Sequence, residues 1–238
     1  MIICIPGPWK DRNDFLHRVI AFEPKGRYLW AGAFLMDTKS QDHVPLEFCG
    51  VDERMPESFK VAGQGKLPAE TLDRIREHRS VVYLHFPLDL PDQRERVLKY
   101  SALLRDLGGI AVKVESSGVA HDWERWFSLL SGTPFQRYTA VVTLVADQEY
   151  YYSCGMHHFG LPDCEAPSAL SLDDAADLIN GFNHFLLIDK PTLVSGHTFS
   201  FAQDAPRYRL THHKDERHDP QEDDLFWNPH GLWRLDAV

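Results

Sequence analysis

Residues 155–165, GMHHFGLPDCE, bring His157, His158, Asp163, Cys164 and Glu165 into one short stretch. Imidazole nitrogens and carboxylate oxygens bind zinc and move protons, so a metal or acid–base site is one reading, with His197 as a further member. Spacing argues against it. Adjacent histidines on a strand point to opposite faces, and no HExxH or HxH motif sets two imidazoles side by side. The other reading is a strand end followed by the turn FGLPD, in which Gly160 and Pro162 supply the backbone angles. A turn is the expectation; a metal-dependent hydrolase using His157, His158, Asp163 and His197 is the alternative.

Three further stretches hold reactive residue types. SGHTF, residues 195–199, pairs a serine with a histidine, but the GxSxG elbow between a strand and a helix is missing. A turn entering a strand is expected there. THHKDERHDPQEDD, residues 211–224, mixes histidines with both signs of charge, the pattern of a solvated loop. Its end is an acidic run, Glu222, Asp223 and Asp224, directly before Leu225, Phe226 and Trp227. Acidic residues steer an encounter and an exposed aromatic anchors it, so this run and Trp227 form a candidate protein-binding patch. The competing reading is that Phe226, Trp227 and Trp233 pin the end of the chain to the core. Asp173, Asp174 and Asp177 line the polar side of a helix and form a second candidate patch.

These residues depend on elements that periodicity makes legible. Ile2 to Ile5 suits a first strand, and DRNDFLHRVIAF a helix capped by Asp11 or Asn13. RYLWAGAFLMD reads as one strand. Residues 50–67 lack periodicity and are read as an exposed loop and a candidate boundary between two lobes. PAETLDRIREH is a helix, SVVYLHF a strand, PDQRERVLKYSALLRDLGG the clearest helix, and GIAVKVES a strand. The last three form a candidate βαβ unit with a right-handed crossover. FPLDLPDQ has no glycine-rich loop to cradle a phosphate, which argues against a nucleotide site. AHDWERWFSLL is a helix, and RYTAVVTLVADQEYYYSCGMHH two strands of a hairpin joined at residues 146–148. SLDDAADLINGFNHFLLI is a helix capped by Ser171, with Leu172, Ala175, Ile179, Phe182 and Leu186 toward the core. SGHTFSF and PRYRLTHH are short closing strands. The expected class is α+β: a mixed sheet with packed helices in a single globular domain spanning residues 1–238. The aromatic strands RYLWAGAFLMD and EYYYSCGMHHF point to two similar halves.

The 238 residues carry a net charge of −10, with a pI near 5.7. Such a surface repels nucleic acid and suits a basic partner. Cys4, Cys49, Cys154 and Cys164 form no CxxC pair, so buried reduced thiols are expected. MIICIPGPWKDRND lacks a signal-peptide pattern and no run of eighteen apolar residues occurs, so the expected location is cytoplasmic, away from membranes. No cofactor motif is present.

The ordered blocks REHRSVVYLHF, LLRDLGGIAVKVESSG, GMHHFGLPDCE and SLDDAADLINGFNHFLLIDKPTLVSGHTFSF resemble a bacterial domain of unknown function, family 4261, over roughly residues 76 to 210. The resemblance supplies no catalytic residues. It implies proteins found near bacterial secretion systems, some similar to the immunity proteins of type VI effectors. The resulting expectation is a non-enzymatic immunity protein, monomeric or weakly oligomeric. It would bind a cognate toxin with a basic surface, such as a nuclease, and occlude its active site or substrate groove.

Overall fold

The computed structural model describes residues 1–23, 25–219, 221 and 224–238. The chain forms two units, Met1–Ser131 and Gly132–Val238, each with its own sheet and packed helices, and the class is α+β. Residues 50–67 fall inside the first unit, and the division comes after Ser131.

The first unit runs β1 (Ile2–Gly7), α1 (Arg12–Phe22), β2 (Tyr28–Trp30), β3 (Phe34–Asp37), β4 (Asp42–Cys49), α2 (Met55–Ala62), α3 (Ala69–Arg76), β5 (Ser80–His85), α4 (Leu90–Asp106), β6 (Val112–Val114), β7 (Val119–His121) and α5 (Trp123–Ser131). Asp11 caps α1 by accepting from the amides of Asn13 and Asp14. In α4, Val97, Tyr100 and Leu104 are buried at helical spacing, and Gly108 ends the segment at φ +103°.

The sheet order is β2-β3-β4-β5-β1-β6-β7, and every neighbouring pair is antiparallel. The expected βαβ unit is therefore split. β5 and β6 are parallel to each other, but β1 lies between them and bonds to both. With β1, α1 and β4 this gives the β-α-β-β-α-β connectivity, extended by β2–β3 at one edge and β7 at the other. Two local readings are corrected. RYLWAGAFLMD is two strands around a turn, with the Ala31 amide donating to Phe34 O and Gly32 at φ +79°. Residues 50–67 contain α2, whose Met55, Phe59 and Ala62 are buried against Ile75 and Val81. The packing of one apolar stripe stabilises a helix too short to show a long period.

The second unit runs α6 (Pro134–Val141), β8 (Thr143–Ala146), β9 (Tyr150–Cys154), a 3₁₀ turn (Met156–Phe159), β10 (Asp163–Pro167), α7 (Leu172–Asp189), β11 (Thr198–Phe199), β12 (Tyr208–His213) and β13 (Leu232–Ala237). The sheet order is β11-β12-β13-β10-β9-β8. β10 and β13 pair in parallel, which requires a long crossover, and α7 lies in that connection. RYTAV, expected as strand, is the end of α6. Thr133 and Gln136 form a reciprocal capping box and Pro134 occupies the first turn, so the helix start outweighs β propensity.

Candidate functional site

GMHHFGLPDCE contains the turn expected of it and, after it, a strand. β9 ends at Cys154, residues 156–159 make one 3₁₀ turn, and Gly160 at φ +68° turns the chain into β10. His157 and His158 are buried with ring centroids 4.2 Å apart. Burial, aided by His157, holds the His158 imidazole well below its usual value. His197 is exposed in the turn before β11, where its amide donates to Val194 O. The set His157, His158, Asp163 and His197 is thus split between interior and surface. Among the described residues no three His, Cys, Asp or Glu side chains converge on a metal position.

Asp163 is buried and works as a latch. Its carboxylate accepts from Ser153 Oγ at 2.8 Å, Met156 N at 3.1 Å and Asn228 Nδ2 at 2.6 Å. Asn228 also donates to Leu161 O, and its amide donates to Asp215. Burial pushes the Asp163 carboxyl up to about 6 against these donors.

Strand alternation assigns the two sheet faces. Cys164 lies against α7, its Sγ 3.8 Å from Ile179 O. Glu165, one residue on, faces the other way with Tyr152 and Arg234, its register partners. Glu165 Oε1 accepts from Arg234 Nε at 2.6 Å and lies 3.0 Å from His213 Nε2, and Oε2 pairs with Arg217 at 2.6 Å. Burial opposes its charge, but Arg234 and Arg217 prevail and hold its pKa below the usual range. Arg217 also bonds Asp147, and the two guanidiniums lie over Tyr150 and Tyr152. A cavity of about 460 Å³ opens beside this cluster. Two carboxylates balance two guanidiniums, and both Glu165 oxygens are engaged. The cluster ties β10, β12 and β13 together.

The opposite side of the unit is different in kind. Asp173, Asp174, Asp177 and Asp189 are exposed on α7. Ser171 caps the helix by accepting from the Asp174 amide, and the first-turn acids complement its dipole. Ala175, Leu178, Ile179, Phe182 and Leu186 are buried. Leu172, expected in the core, is 65% exposed because it is the first helical residue and precedes the buried stripe. Among the described residues no Lys or Arg pairs with the four aspartates. The helix itself supplies none: the chain has no Lys or Arg between Arg137 and Lys190. Residues 132–238 hold 16 acidic against 7 basic residues, so −9 of the net −10 resides in this unit. Beside α7 lies an open groove of about 670 Å³, lined by Phe185, Phe199, Phe201 and Leu210 with His184, His197 and Asp189.

The second expected patch is less open. Asp224 accepts from His218 Nδ1 at 3.0 Å and the Phe226 amide at 2.9 Å, so it orders its own loop. Trp227 is half-buried, Phe226 exposed, and Trp233 buried on β13 against His212. Glu222 and Asp223 lie outside the described residues. The Glu165 cluster and the aromatic groove were not anticipated. The gap in basic residues was a readable signal for the acidic face; the groove had none, because its walls are far apart in the chain.

The family described as a domain of unknown function (DUF4261) matches residues 152–226. The match runs from β9 through α7 and β12, and the resemblance seen in residues 76–151 lies outside it. No curated protein and no solved structure matches the chain.

Proposed function

We propose that the protein is an immunity protein that binds a cognate antibacterial toxin and occludes its active site or substrate groove. One observation supports this reading above others: α7 presents four aspartates to solvent, none paired with Lys or Arg among the described residues, beside an open groove with aromatic walls. A row of exposed like-charged carboxylates speeds encounter with a surface of opposite field. A nuclease must carry a basic groove for phosphates, and an aspartate row can stand in for them. The matched family segment contains this helix.

The test is rescue. The product of the neighbouring gene is expressed in a sensitive bacterium with and without this chain, and survivors are counted. Protection together with co-purification of a complex supports the reading. A neighbour that is harmless, or that kills regardless, overturns it. Paired reversal, Asp173→Lys with Asp177→Lys, is expected to abolish protection while leaving the fold intact.

A further inference from the structure

We infer that the groove beside α7 receives an apolar side chain of a protein partner, presented between basic residues; this rests on the binding reading above. The groove is walled by rings that pack on one another. Phe199 lies 5.1 Å from Phe182, 5.1 Å from Phe201 and 5.5 Å from Phe185, centroid to centroid. Phe201 rests on the helix backbone at Gly181, where a Cβ would stand 2.0 Å from its ring. Gly181 is therefore what lets the wall approach the helix. Despite that contact Phe201 is 54% exposed, and Ile188 on the same side of α7 is 46% exposed. Apolar surface of this kind beside a pocket marks a docking site.

Charge selects the occupant. Asp177 precedes Gly181 by one helical turn, about 6 Å, and Asp189 follows it by about 12 Å. Asp189 itself lines the groove. An anchor seated on Phe201 thus has a carboxylate to either side along the helix. Lys or Arg on both sides of an aromatic or aliphatic residue matches that order. An acidic or purely apolar segment does not.

Fluorescein-labelled Lys-Lys-Ala-Trp-Ala-Lys-Lys is titrated with the full chain, and anisotropy is read. The same peptide with Trp replaced by Ser, and one with Lys replaced by Glu, are titrated alongside. Saturable binding of the Trp peptide, at least about tenfold tighter than either control, is expected. Phe201→Ser is expected to remove that margin, and the exposure of Phe201 lets this variant fold, which circular dichroism checks. Equal binding of the Trp and Ser peptides overturns the proposal without reference to any variant, as does undiminished binding by folded Phe201→Ser. The two readings fail separately. A Phe201→Ser protein that still protects cells and binds the toxin as wild type overturns the groove and leaves the immunity reading. A wild-type chain that takes the Trp peptide selectively yet neither protects nor binds the toxin overturns the immunity reading and leaves the groove.

Discussion

Asp163 and Glu165 stand two residues apart on one strand, and their carboxyls are driven in opposite directions. Asp163 meets only neutral donors, so burial prevails and its value rises from 3.8 to about 6. Its contribution to stability is whole below about pH 4 and is lost as pH rises through 6, worth about 3 kcal/mol when complete. Urea midpoints of the wild type should therefore decline between pH 5 and 7.5 more steeply than those of Asp163→Asn, which has no proton to lose; parallel slopes would refute this. Glu165 meets two guanidiniums and is held below 4.5, so its contribution is present above that value and lost as pH falls through its lowered one. Glu165→Gln leaves half-buried Arg234 without its carboxylate and Arg217 with Asp147 alone. The expected loss at pH 7 is about 3–5 kcal/mol in chemical denaturation, narrowing as the pH is taken below 4. Neither fate was legible in GMHHFGLPDCE. Arg217 and Arg234 come much later in the chain and reach Glu165 only through sheet register and the segment after β12.

At the scale of elements, signals written in adjacent residues were read and signals created by packing were not. Asp11, Ser171 and Gly108 mark helix ends in place, because a cap needs only its own neighbouring amides or carbonyls. Ser171→Ala should lower the stability of α7 by about 1 kcal/mol, read as a shift in thermal midpoint. RYTAVV suggests a strand because Tyr138, Thr139, Val141 and Val142 favour β structure by side-chain shape. The reciprocal Thr133–Gln136 cap and the hydrogen bonds of Tyr138 to Asn180 and Asn183 on α7 outweigh that preference. Thr133→Ala removes half of the box and should cost a similar 1 kcal/mol in the same measurement.

For the whole molecule the decisive quantity is the distribution of charge. Nearly all the net charge lies in residues 132–238, and four of the exposed acids there, Asp173, Asp174, Asp177 and Asp189, stand on α7. Binding to a basic partner should weaken about tenfold between 50 and 500 mM salt, chiefly through slower association measured by stopped flow. A salt-independent rate would rule out steering by this face. The sequence by itself determined the α+β class, most element positions, the acidity and the stretch from Arg137 to Lys190 without a basic residue. These follow from composition, short-range periodicity and caps, which act over a few residues. Only the tertiary structure decided that β1 separates β5 from β6, that Glu165 is neutralised from across the sheet, and that Gly181 and Phe201 meet to wall a groove. Those are contacts between distant residues, and their geometry is fixed by strand order and packing rather than by any local pattern.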